Sequence, residues 1–312
     1  MVDNRLQSYN YEQCMMRDNN TTTSSISKLR DVVNLDHYPL QSRSLIQKTR
    51  QALINHSVIT LPNFLQTNVI QALVQEALEH KHKAFYTKKE TTHNIYLTPN
   101  NESLPKKHIF NRQIVSSKGC IQTDQIPHDS QLRVLYYNQT FQDFLQKVLG
   151  VDNLFPYEDP LSSINIHFAS EGQELGWHFD NSAFAITLLL QKPENGGVFE
   201  YVPNIRHSTS DSNDEEEKMG YKKVEKVVNG DETPKRLEMN PGTLVLFKGR
   251  DSLHRVTEVV GDRTRVLVVL AYNEKPGVEL SEEARMTFFG RTGRVEDCIR
   301  NRSLRGNHKQ SV

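Results

Sequence analysis

Apolar positions along this chain follow two different periods. In 42–56, Leu45, Thr49, Ala52 and Leu53 share one helical face, and in Thr67–His82 so do Val69, Ile70, Leu73, Val74 and Leu78. A 3.6-residue period collects such positions into a stripe that can pack on a core, so both segments predict helices. Thr67 is the expected N-cap of the second. Gln139–Leu149 predicts a third helix, closed by Gly150. Between the first two, Ser57–Leu61 is short and apolar and predicts a strand that Pro62-Asn63 ends. After Pro160 the pattern shortens to apolar or alternating stretches at 162–169, 184–191, 197–202, 243–248 and 264–272. Turn chemistry separates them: Glu171-Gly172, Asn195-Gly196-Gly197, Asn240-Pro241-Gly242 and Gly261-Asp262. Short strands with regular turns predict an antiparallel sandwich or barrel.

The punctuation divides the chain into a polar tail over 1–30, a helical and support region over 31–154, a core over 155–292 and a polar tail over 293–312. The core carries an insertion over 206–236, in which Ser208–Lys218 reads as a solvated acidic loop and Tyr221–Val228 as a short helix.

Charge and composition narrow the function. Lys and Arg number 38 and Asp and Glu 38, a formal net charge of zero. Nucleic-acid binding by phosphate neutralisation needs a clustered basic surplus that is absent here, and a polybasic membrane-surface role is excluded on the same ground. No apolar run approaches the roughly 20 residues of a membrane span. Cys14, Cys120 and Cys298 have no CxxC spacing and form neither a disulfide framework nor a zinc knot. With no apolar leader in the first 30 residues, the expectation is a cytoplasmic protein.

The strongest chemical signal is Gly176-Trp177-His178-Phe179-Asp180. On a strand, His178 and Asp180 share a face, about 6–7 Å apart along the chain, and can take two adjacent positions on a metal. Leu253-His254-Arg255-Val256 offers a third ligand from a distant strand, as a 2-His-1-carboxylate set requires. Arg263 and Arg265 lie two apart ahead of the most apolar run in the chain, Val266–Tyr272. An arginine entering a buried strand can grip a carboxylate with two parallel hydrogen bonds.

This arrangement over 155–292 resembles the Fe(II)/2-oxoglutarate-dependent dioxygenase superfamily: His-x-Asp, a distal His, then a basic residue about ten positions on. The stretches Glu174–Asp180, Gly196–Asn204, Pro241–Leu244, Ser252–Thr257 and Phe289-Gly290-Arg291 are similar to the branch of free-amino-acid radical halogenases and their hydroxylating relatives. The resemblance implies a mainly β fold, a double-stranded β-helix (jelly roll) with N-terminal helices packed on one sheet. It implies Fe(II) held by His178, Asp180 and His254, with 2-oxoglutarate and dioxygen as cosubstrates. Arg263 or Arg265 would meet the far carboxylate of 2-oxoglutarate. The halogenases keep a Gly where this chain has Asp180, which frees an iron position for chloride. A carboxylate there implies oxygenation, most simply hydroxylation, of a small-molecule substrate such as a free amino acid or a derivative. A prolyl or lysyl hydroxylase acting on a partner protein, a non-catalytic jelly-roll binding protein and a hydrolytic zinc enzyme are the rival readings.

Other residues are candidates on position alone. Asn165, on the strand before the triad, is a contact for cosubstrate or substrate, or a polar residue of an edge strand. His167 alternates with it, as a pocket residue or a hydrogen-bonded structural one. Asn181 follows the ligand pair and is a substrate candidate. So are Glu200, as partner for an ammonium group, and Arg112, as partner for a carboxylate; the plain alternative for both is a solvated surface. Trp177 points away from its neighbour His178 and reads as core packing.

Overall fold

The computed structural model describes residues 28–88, 91–206 and 214–294. The expected tails therefore lie mostly outside the described residues, as does 207–213 of the insertion. The N-terminal tail ends earlier than expected: 28–32 are helical, and Leu29 is fully buried.

The helical layer begins with α1 (Arg43–His56), N-capped by Ser42, whose side chain accepts from the Leu45 amide. After strand β1 (Val58–Leu61) comes α2 (Thr67–His80). Its N-cap is Gln66, not Thr67, and makes no side-chain capping bond; Thr67 already lies within the helix. The expected extension to His82 becomes a 3-10 turn at Lys81–Lys83. Short strands β2 (Phe85–Tyr86), β3 (Thr92–Asn94), β4 (Gln113–Val115) and β5 (Gly119–Ile121) follow, then α3 (Gln131–Tyr136) and α4 (Gln139–Leu149). Gly150 closes α4 in the left-handed region at φ 74°.

The remaining strands are β6 (Phe155–Pro156), β7 (Ile164–Ala169), β8 (Leu175–His178), β9 (Ala185–Gln191), β10 (Asn195–Gly196) and β11 (Phe199–Val202). The insertion then forms α5 (Glu215–Met219) and α6 (Tyr221–Asn229). Strands β12 (Lys235–Leu237), β13 (Thr243–Phe247), β14 (Leu253–Val256), β15 (Val259–Val260), β16 (Arg265–Leu270) and β17 (Tyr272–Asn273) complete the sheets before α7 (Glu282–Phe289).

Two antiparallel sheets face each other. The larger runs β1-β13-β9-β16-β7-β5-β2 and the smaller β12-β11-β14-β8, the jelly-roll arrangement with N-terminal helices. Strand alternation assigns each face its partner. Ile166, Phe168, Leu188, Leu246, Val266 and Val268 turn outward from the larger sheet onto the helices. Val58, Leu189, Tyr201, Val245 and Phe247 turn inward between the sheets. The outer face of the smaller sheet, through Trp177, Val202 and Leu253, packs on Tyr96 and on Tyr221, Val224 and Val227 of α6. Trp177 is thus core packing on the side away from His178, with the Arg255 guanidinium 4.7 Å from its ring. The described part of the acidic loop is helical: Asp214 caps α5 by accepting from the amides of Glu216 and Glu217.

Candidate active site

β8 and β14 are hydrogen-bonded neighbours, with His254 opposite His178. That pairing sets the two imidazoles side by side on the inner face, ring centroids 4.1 Å apart. The strand ends at His178, so Asp180 is placed by backbone bonds: the Phe179 amide donates to Ile95 O at 2.9 Å and the Asp180 amide to Gly249 O at 3.1 Å. A side chain at 249 would block this, since an added Cβ would lie 1.8 Å from Asp180 Oδ2. The Asp180 carboxylate reaches to 3.7 Å from His178 Nε2 and 3.5 Å from His254 Nε2. One ligand atom from each residue lies within 4.8 Å of the others.

The tautomers suit a metal. His178 Nδ1 donates to Gly176 O at 2.8 Å and His254 Nδ1 to Ser252 O at 2.9 Å. A carbonyl only accepts, so both Nδ1 atoms carry the hydrogen and both Nε2 lone pairs face Asp180. Phe247 stands edge-on to His254 and Phe199 lies beside it, which removes water from that wall. Burial and the neighbouring His254 push His178 down to about 3. Burial alone would raise Asp180, but His254, His178 and Lys118 outweigh it and hold the carboxyl at about 2. Neutral imidazoles and an ionised carboxylate are the forms that bind a cation.

The two arginines separate. The Gly261 turn has φ 96° and the chain is still bending at Arg263, so β16 begins only at Arg265. Arg263 is exposed, donates to Pro193 O at 3.2 Å and lies at a surface groove formed by α2 residues Ile70, Val74 and Leu78. Arg265 is buried and shares the inner face with Leu267. Burial lowers its pKa to about 10, with no acidic neighbour among the described residues to offset it. It is a cation aimed between the sheets without an anion.

The remaining candidates fall unevenly. Asn165 is buried, and its amide donates to Leu161 O at 2.7 Å and Ile164 O at 3.0 Å. His167 lies beside Lys118, whose Nζ is 3.2 Å from both ring nitrogens. Asn181 is exposed, and its carbonyl accepts from Arg250. The structure does not bring Glu200 to the triad. Glu200 alternates with the inward-facing Phe199 and Tyr201 and lies on the outer face, bound to Arg255 at 2.7 Å and Arg236 at 3.6 Å. It is buried rather than solvated. Arg112 is exposed and hydrogen-bonds Asn229 of α6.

Sequence reasoning missed Lys118, His93, Ser116 and Gly249. Burial lowers the pKa of Lys118, and the charges of Cys120 and Asp180 oppose that shift. No local pattern marks these residues. They lie within or beside strands of three residues, or in a loop, and only long-range contacts carry them to the site.

The three converging side chains, two imidazoles and a carboxylate, are a set that could hold a metal ion. The family model described as Halogenase D matches residues 41–288. The chain belongs to that family, and so to the Fe(II)/2-oxoglutarate-dependent dioxygenase superfamily of oxidoreductases. No curated protein matches it. Among solved structures it is similar to a 2OG-Fe(II) oxygenase family oxidoreductase from Burkholderia pseudomallei, at 13% identity and TM-score 0.46, over 75% of this chain and 92% of that one. It is also similar to a Pseudomonas putida prolyl-4-hydroxylase, at 12% identity and TM-score 0.45, over 72% and 96%. A third is the alpha ketoglutarate dependent epimerase SnoN from nogalamycin biosynthesis, at 10% identity and TM-score 0.49, over 74% and 84%. No helix among the described residues is long and apolar enough to cross a membrane.

Proposed function

We propose that this protein hydroxylates an unactivated C–H bond of a small polar substrate, a free amino acid or a derivative of one, with Fe(II), 2-oxoglutarate and dioxygen. The observation that carries the reading is the Asp180 carboxylate, within 3.7 Å of both imidazole Nε2 atoms. In the halogenating relatives this position is a glycine; here a third protein ligand takes the coordination place that chloride would need. His178, Asp180 and His254 would hold the iron, with both Nδ1–H groups anchored on carbonyls so that the rings cannot turn away. When bound, Fe(II) with 2-oxoglutarate activates dioxygen and supplies the oxidising power for the C–H bond.

The chain's own residues do the rest. Arg265 offers a charged fork to the far carboxylate of 2-oxoglutarate, in a setting dry enough to strengthen the pair. Lys118 lies beside His167, with burial lowering its pKa and the Asp180 charge opposing that shift. Phe199 and Phe247 keep water off His254. A buried arginine on the inner face, with Asp180 committed to metal, suits an anionic small molecule.

The test is to screen free amino acids for stimulation of succinate formation from 2-oxoglutarate under Fe(II) and oxygen. A hydroxylated amino acid formed one-for-one with succinate supports the reading. A chlorinated product in the presence of chloride, or prolyl or lysyl peptides as the sole stimulants, contradicts it.

A further inference from the structure

His178 is held by a chain of hydrogen bonds that runs through Gly176. Its Nδ1–H donates to the carbonyl of Gly176, and the amide of the same glycine donates to Ser116 Oγ at 2.9 Å. Ser116 Oγ lies 2.6 Å from His93 Nε2, and His93 Nδ1 lies 2.8 Å from Asn94 O. The Asn94 carbonyl only accepts, so His93 Nδ1 carries the hydrogen. Nε2 is then the acceptor, and the Ser116 hydroxyl must donate to it. Every hydrogen bond from Asn94 to His178 thus has one consistent direction. The His93 ring also stands edge-on to His178, centroids 6.1 Å apart. Ser116 is further tied to Leu175 by an isolated β-bridge.

We propose that His93 and Ser116 form a positioning relay for the metal ligand His178, acting through the two backbone groups of Gly176. The glycine is the necessary middle piece. Ile114 and Val115 O press so closely that a Cβ at 176 would lie 2.1 and 2.3 Å from them. That contact holds Gly176 against β4, and the Ser116 hydroxyl fixes the glycine's amide. The Gly176 carbonyl is then aimed at Nδ1, and Nε2 is aimed at the metal position. His254 is held differently: its acceptor is the carbonyl of Ser252, in the turn between β13 and β14, and the Ser252 hydroxyl accepts from the Asn204 amide at 3.4 Å. The β3–β4 hairpin therefore works as a brace for one metal ligand, a role distinct from binding either substrate.

The inference rests on the assignment of His178 to the metal. It is tested with the full chain and Co(II) as probe, read by chelator competition and by the visible absorption of the Co(II) complex. Ser116→Ala and His93→Phe are each expected to weaken Co(II) binding ten- to a hundredfold, as loss of an outer hydrogen-bond partner does, and to shift the absorption band. Ser116→Thr, which keeps the hydroxyl, is expected to bind as the wild type does. The double variant should be no weaker than the worse single, because both break one chain. If either substitution prevents folding, Ser116→Gly and His93→Leu also remove the hydrogen-bonding group and give the same reading. Wild-type affinity and spectrum in folded Ser116→Ala and His93→Phe would overturn the relay, as would equal weakening by Ser116→Ala and Ser116→Thr. If the wild type binds no Co(II), or His254→Ala binds it equally well, the metal assignment itself fails and the relay falls with it.

Discussion

The two arginines show how much one position decides. Both precede the same apolar strand at strand spacing, and the sequence leaves them equivalent. The Gly261 bend delays β16 until Arg265, so one guanidinium enters the sandwich and the other stays in water. Losing one partner of a buried charge pair costs about 3–5 kcal/mol. At 1.4 kcal/mol per tenfold, the 2-oxoglutarate KM should rise at least about a hundredfold in Arg265→Met. Arg263→Met should raise it about tenfold or less. Because Arg265 is buried with no acidic partner among the described residues, Arg265→Met should also raise the melting temperature of cosubstrate-free protein and abolish its further rise on adding 2-oxoglutarate. Equal effects of the two substitutions on KM would refute the clamp.

Protonation belongs to the same scale. Burial lowers the pKa of His93 and His167, and holds His178 at about 3. In the unfolded chain they titrate near 6.5. Between pH 6.5 and 3 the unfolded state therefore binds more protons, and stability falls as pH falls. Asp180 acts in the same direction at lower pH: held at about 2 against an ordinary 3.8, its stabilisation is complete above 3.8 and is lost as pH falls from there through 2. The melting temperature of metal-free protein should thus decline from pH 6.5 toward 4, and less steeply in His178→Phe. A flat profile would contradict the buried, neutral histidines.

Among elements, the insertion is where the pattern was half legible. The apolar spacing of Tyr221, Val224 and Val227 marks α6 plainly, but not what it covers. It covers the back of the sheet whose front carries His178 and His254. Val224 is fully buried there, so Val224→Ala should cost about 2 kcal/mol in denaturant unfolding. Deleting Ser208–Lys218 should leave turnover intact, because the cut ends before Met219, whose carbonyl accepts from Tyr96, and before the buried Tyr221. Loss of turnover at an unchanged melting temperature would make that segment part of the substrate site. The short strands β3 to β5 were illegible for a physical reason. Three residues each carry too little periodicity; β3 and β4 pair with each other, β4 packs on Gly176, and β5 pairs with β7.

For the whole molecule, the long alternating strands gave away the two-sheet core, and His-x-Asp with a distant His gave away its centre. The supporting residues His93, Ser116, Lys118 and Gly249 emerge only when the chain closes, since their meaning lies in a neighbour 60 or more residues away in sequence for all but Lys118. Lys118 lies 49 positions from His167. The central claim is that these elements converge to hold one iron that couples 2-oxoglutarate to oxygenation. The most direct measurement is succinate formation from 2-oxoglutarate by folded wild type and folded His254→Ala, each with and without Fe(II). The wild type should form succinate only with Fe(II), and His254→Ala should form almost none while melting as a folded protein. Succinate formation by His254→Ala near the wild-type rate, or none by the Fe(II)-loaded wild type with any amino acid tested, would contradict the account.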